Sequence, residues 1–232
     1  MSPSRTAEIE EIASRFCGLP LTAESVFLRP AYQHGQFERE VCDLLVAFGQ
    51  GIVLSLKSQD DPAARKGPKL QRWCRKKAGE AARQISGARR TMVAHAFWCE
   101  HWRRGRVEFG AGAVAPVHAL AVIETGPMAM DTARLPDDVP QSAGDTPITY
   151  ITLNDTLNLV DQLRSFPDLV AYLDARAKLP IVFRRVIGNE RLLLHYYMMC
   201  DESFDGCVRP EEFLTYLLVS EADFRAARRD EA

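Results

Sequence analysis

The segment FEREVCDLLVAFGQGIVLSLKSQ, residues 37–59, constrains this chain more than any other stretch. Val41 to Phe48 and Ile52 to Lys57 are rich in aliphatic and β-branched residues. The break between them, Gly49-Gln50-Gly51, supplies the positive-φ positions of a short loop, so the stretch reads as a β-hairpin. With a three-residue loop, Asp43 falls across from Lys57 and Leu45 across from Ser55. All four then share one face, because strand side chains alternate with period two. An acid and an amine fixed on a rigid sheet within apolar strands make either a cross-strand ion pair or the centre of a metal-dependent site.

The rest of the chain suggests an α/β protein. A short amphipathic helix over Ala7 to Cys17, capped by Thr6, carries Ile9, Ile12, Ala13 and Phe16 on one stripe. A short strand at Val26 to Leu28 ends at Pro30. After the hairpin, a long helix is expected from about Lys69 to Val93, with Leu70, Cys74, Ala78, Ala81, Ile85, Ala88 and Met92 forming its buried stripe. His95, Cys99 and His101 lack a fourth ligand for zinc, and Trp98 and Trp102 read as a packed helix terminus. A strand at Arg106 to Phe109 follows. The continuous apolar run Val117 to Ile123 reads as a strand buried on both faces.

Residues 125–147, punctuated by prolines, make a connecting loop, and the chain divides there into a core of residues 1–125 and a strand-plus-helix extension of residues 126–232. In the extension, Ile148 to Leu153 is a strand. Asp155 to Leu163 and Asp168 to Ala177 are helices, Asn189 caps Glu190 to Met199, and two further helices follow Pro210 and Ser220.

Charge is distributed unevenly. From Pro62 to Arg106 there are thirteen Lys and Arg against two acids, whereas Glu124 to Ala232 carries a net charge of about −8. Lys69, Arg72, Arg75, Lys76, Arg83 and Arg90 of the long helix are the candidate phosphate contacts. Their alternative is a solvated helix face. Six widely separated cysteines with no CxxC suit buried thiols in a reducing compartment, and no apolar run is long enough to span a membrane. The expectation is a cytoplasmic protein with no membrane partner.

The order helix, hairpin, basic helix, buried strand, with Asp43 on one hairpin strand and Ser55-Leu56-Lys57 on the next, resembles the PD-(D/E)XK nuclease superfamily. The phrases EVCDLLVAFGQGIVLSLKSQ, DLVAYLDARAKLP and NERLLLHYYM are similar to an uncharacterised bacterial branch of it. The resemblance implies a restriction-endonuclease-like core, a mixed central sheet flanked by helices, with a mainly helical C-terminal extension. It also implies a Mg²⁺ or Mn²⁺ ion held by Asp43, a water oriented by Lys57, and DNA as substrate. Ser55 stands where the superfamily places a second acid. Glu40 is the candidate to share the metal, with Glu38 or Glu11 as others, and Gln84 is the candidate from the long helix. The alternative reading is a catalytically silent protein of this fold that binds nucleic acid or a protein partner, including a second copy of itself. A third is an interaction module whose basic block docks an acidic partner.

Overall fold

The computed structural model describes residues 5–18, 23–58, 68–124, 133–163 and 165–204. Eleven strands are present among them: β1 (Val26–His34), β2 (Phe37–Glu40), β3 (Leu44–Phe48), β4 (Gln50–Lys57), β5 (Phe97–His101), β6 (Gly105–Phe109), β7 (Pro116–Ile123), β8 (Ala133–Arg134), β9 (Ser142–Ala143), β10 (Thr146–Ile151) and β11 (Val186–Ile187). The helices are α1 (Arg5–Gly18), α2 (Pro68–Ala94), α3 (Leu153–Gln162), α4 (Phe166–Lys178), α5 (Ile181–Arg184) and α6 (Glu190–Met199). The main sheet has the order β6-β5-β1-β3-β4-β7-β10-β9, and β2 also pairs with β1. β4, β7 and β10 are mutually parallel, while the remaining pairs are antiparallel. The fold is therefore α/β, with a mixed central sheet flanked by helices.

The alternation of side chains divides the interior into two layers. Leu45 and Val53 of the hairpin and Ala119, Ala121 and Ile123 of β7 lie under the apolar stripe of α2. Leu44, Val46, Ile52, Leu54, Leu56, Leu120 and Val122 pack on the other side with α1, α3, α4 and α6. A strand covered on both faces has no polar side to show, which is why residues 117–123 lack alternation. All seven expected stripe residues of α2 are buried, with Ala82 beside them.

Several elements differ from the sequence reading. The hairpin turns on a single residue. Phe48 pairs with Gln50 across Gly49, whose φ is +68°, and the register runs Leu44 to Leu54 and Leu45 to Val53. Ser55, not Lys57, thus falls across from Asp43, and Val53, not Ser55, across from Leu45. The shift is two residues, so every side chain keeps its face. Gly51 is held by proximity, since a Cβ there would sit 2.7 Å from Val114 Cγ1.

The strand expected from Val41 begins only at Leu44. β2 and β3 lie in succession along β1, and the gap between them faces Arg29-Pro30, where the β1 register shifts. Arg29 takes a φ of +47° there. β1 therefore passes through Pro30 as a bulge, which removes the conflict between a proline and a paired strand. Thr6 lies inside α1 rather than before it. Residues 97–101 are strand β5, not a helix terminus: Phe97, Cys99 and His101 point inward in alternation, which a β-strand supplies and a helix does not. The helices expected after Pro210 and Ser220 lie outside the described residues.

Candidate active site

Ser55 and Lys57 sit at the C-terminal end of β4 on the side covered by α2, and the two are brought together by one helix residue. Gln84 Oε1 accepts from Ser55 Oγ at 2.7 Å and from Lys57 Nζ at 2.5 Å. The cause is local: Gln84 borders the buried stripe of α2, next to Ile85, so its amide can reach a strand hydroxyl that is itself fully buried. A buried hydroxyl needs such a partner. The carbonyl of a neutral side chain holds Lys57 without neutralising it.

Asp43 is only 3% exposed, and its Oδ2 accepts the backbone N–H of Leu56 at 2.7 Å. Its own N–H donates to Leu54 O at 3.2 Å. The carboxylate thus stands in for the strand carbonyl that the broken β3 does not offer to β4, and it satisfies an amide between Ser55 and Lys57. Asp43, Ser55, Lys57 and Gln84 are therefore gathered around one strand end. The neighbouring Cys42 is fully buried and its thiol is pushed well up, first by burial and then by the negative charge of Asp43. It is a packed neutral group, not a nucleophile.

The other proposed ligands are less convergent. Glu40 ends β2, exposed and paired with Ala31. Glu11 is exposed on α1, and Glu38 is exposed on β2. Among the described residues, no group of three or more His, Cys, Asp or Glu side chains gathers as a metal cage, and His95, Cys99 and His101 form none. The sequence reading passed over Glu80, one turn before Gln84 on α2. Lys77 Nζ donates to it at 2.7 Å. That hydrogen bond holds its carboxyl below the usual range, against a smaller effect of burial, and the charges of Lys77, Lys76 and Lys57 add to it. The four-residue spacing from Gln84 was the signal available in the sequence.

An ion of the magnesium class takes one or two carboxylates and keeps several waters. The buried carboxylate of Asp43, beside the Lys57 end of β4, is one oxygen donor of that kind. It does not fit a closed cage of protein ligands.

Lys69, Arg72, Arg75, Lys76, Arg83 and Arg90 are all exposed on α2. Lys69, Lys76, Arg83 and Arg90 recur every seven residues, two helical turns, and so form one stripe. Arg75 pairs with Asp138 at 2.8 Å, and Arg89 with Asp145. No helix among the described residues is long and apolar enough to cross a membrane. No family model, curated protein or solved structure matches this chain.

Proposed function

We infer that this protein is a metal-dependent nuclease that hydrolyses phosphodiester bonds of DNA, with a restriction-endonuclease-like core. The observation that carries the reading is the meeting of Gln84 from the basic helix with Ser55 and Lys57 at the strand end that Asp43 caps. In this reading Asp43, with Glu40 or Glu80, would hold the ion. When bound, such an ion neutralises charge on the phosphoryl oxygens and makes a water more acidic. Lys57, positioned by Gln84, orients that water and stabilises the charge developing in the transition state. Ser55 fixes the Gln84 amide, and the α2 stripe grips the backbone.

The test is supercoiled plasmid nicking with Mg²⁺ or Mn²⁺. Wild type nicks, EDTA abolishes the activity, and Asp43→Asn and Lys57→Met each reduce it by about 10²-fold or more, the range expected when electrostatic stabilisation of a transition state is lost. Cleavage unchanged in both variants excludes this centre.

A second reading, a catalytically silent protein of the same fold that binds nucleic acid, is favoured by one observation. Ser55 is a fully buried hydroxyl where an acid is expected, and Asp43 Oδ2 is engaged by Leu56 N–H. Salt-sensitive DNA retention with no nicking in any divalent metal selects it.

A further inference from the structure

We propose that β6, the open edge of the main sheet, pairs antiparallel with β6 of a second copy of this chain, in the one register that sets Arg106 against the partner's Glu108. This dimer does not rest on the nuclease reading.

Among the described residues β6 pairs with β5 alone and ends the sheet. An open edge is a row of unpaired donors and acceptors, a template for another strand. Which groups it offers follows from the hairpin. Residues 102–104 make the loop between β5 and β6, and His101 and Gly105 close it, with Gly105 at a φ of +65°. The pair that closes such a loop is hydrogen-bonded, and in an antiparallel ladder bonded and non-bonded pairs alternate. Cys99–Val107 and Phe97–Phe109 therefore bond as His101–Gly105 does, and the N–H and C=O groups of Arg106 and Glu108 point away from β5.

Three antiparallel registers bring these outward residues of two copies opposite one another. Two of them set Arg106 against the partner's Arg106 or Glu108 against the partner's Glu108, and like charges directly opposite are destabilising. The third sets Arg106 against the partner's Glu108, and the two-fold axis repeats the pair with the roles exchanged. Val107 then meets its own copy on the axis. Gly105 lies opposite the half-exposed Phe109 of the partner, an arrangement in which an aromatic ring covers an edge glycine. The charged heads are already on one face. Arg106 Nε and Glu108 Oε1 lie 3.7 Å apart, their side chains are 56% and 78% exposed, and the guanidinium rests over the Trp98 ring at 4.0 Å. Joining the strands gathers two acids and two bases in an alternating square.

The edge of β2 shows the opposite construction. Its two-residue loop closes on His34 and Phe37, and beyond Glu40 the Val41 N–H donates to Pro30 O at 2.6 Å, so the outward groups of β2 belong to Glu38 and Glu40. Every register that brings those residues of two copies together opposes two glutamates. Like charge on an edge strand keeps copies apart. The remaining end of the sheet, β9, is two residues long. β6 carries both signs of charge, and so excludes every self-pairing but one. A contact one strand wide belongs to the weak class of interfaces, below about 1,200 Å² of buried surface, so the dimer forms and dissociates with concentration.

The experiment is sedimentation velocity on the full chain, from about 1 to 300 µM and at low salt. The expected result is a shift from the 26.0 kDa chain to twice that mass. Arg106→Glu and Glu108→Arg each put like charges across the axis and weaken self-association by about tenfold or more. An equimolar mixture of the two variants associates again, because every opposing pair is then of unlike sign, and the double variant Arg106→Glu/Glu108→Arg recovers the dimer for the same reason. Glu108→Pro removes one outward N–H without touching the β5 ladder, and it too leaves a monomer. A wild type that stays monomeric throughout the range, or a dimer that either charge reversal leaves intact, overturns the proposal. A mixture that fails to associate while the wild type dimerises also overturns it, since the contact then lies elsewhere.

Discussion

Replacing Asp43 separates a structural duty from a chemical one. Its Oδ2 is the acceptor for Leu56 N–H, in a strand whose neighbouring side chains are essentially excluded from water. Asp43→Ala leaves that amide without its acceptor, and an unsatisfied buried donor costs about 1 to 3 kcal/mol. The lost hydrogen bond is charge-assisted, so the upper half of that range applies, about 2 kcal/mol. For a chain of this size 1 kcal/mol moves the midpoint by about 2 to 4 °C, so the Ala variant is expected to melt about 4 to 8 °C below wild type. Asp43→Asn keeps an acceptor oxygen in place and is expected to lose less than half as much. The assay is paired: urea and thermal unfolding by circular dichroism, then nicking with Mg²⁺ at a temperature where both variants are folded. The expected pattern is a stability ladder, wild type over Asn over Ala, with activity absent from both variants. An Ala variant as stable as wild type refutes the account of Asp43 as the substitute for a missing strand carbonyl. A fully active Asn variant refutes its role as a ligand.

Two further predictions concern the helical layer. Asp155 accepts backbone hydrogen bonds from Glu190 and Arg191 at the start of α6, yet burial, joined by the charge of Glu190, pushes its carboxyl up to about 6. A carboxyl whose folded pKa exceeds its unfolded value of about 4 favours folding when protonated. Its contribution is complete below about pH 4 and is lost as pH rises through about 6. Urea midpoints should therefore fall between pH 5 and 7, and Asp155→Asn should flatten that slope and gain about 1 to 3 kcal/mol at pH 8; an unaltered slope contradicts the assignment. Arg176 and Glu190 form an ion pair at 2.5 Å with both side chains 1% exposed, and Tyr172 donates to the same Glu190 oxygen at 2.6 Å. Removing one charge strands the other, so Glu190→Leu is expected to cost about 3 to 5 kcal/mol, whereas the double replacement Arg176→Met/Glu190→Leu recovers much of it. Equal losses in single and double variants, measured by urea unfolding, would sink that coupling.

The parts of the fold that could be read in the sequence are those governed by period. The seven-residue stripe of α2 from Leu70 to Met92 follows three-four spacing, and the apolar run of β7 follows from burial on both faces. Both depend on which residues lie a fixed number apart along one element. The parity of the hairpin was legible for the same reason, and it placed Ser55 and Lys57 on one face with Asp43 even though the expected register was two residues off. Loop length, which sets register, depends on whether Gly49 alone can close the turn, and Gly51 just beyond it lies where a side chain would meet Val114. No local pattern in residues 37–59 contains Val114.

The same limit applies to β5. The segment from Phe97 to His101 has aromatic residues compatible with either helix or strand, and it becomes a strand because β1 and β6 offer edges on both sides. Asn189 has the right chemistry to cap α6 but makes no side-chain cap; Asp155, 34 positions earlier, takes that place because α3 packs beside α6.

By itself, then, the sequence determined an α/β chain with a long basic helix, a hairpin face carrying Asp43, Ser55 and Lys57, and the helix position of Gln84. These follow from periodicity and from side-chain chemistry, both of which are local. Only the tertiary structure decided that Asp43 caps the Leu56 amide, that Gln84 joins Ser55 to Lys57, and that Arg75 and Arg89 of the basic helix pair with Asp138 and Asp145. Those outcomes depend on hydrogen-bond and charge partners tens of residues away, and a partner is chosen by packing, which no single segment encodes.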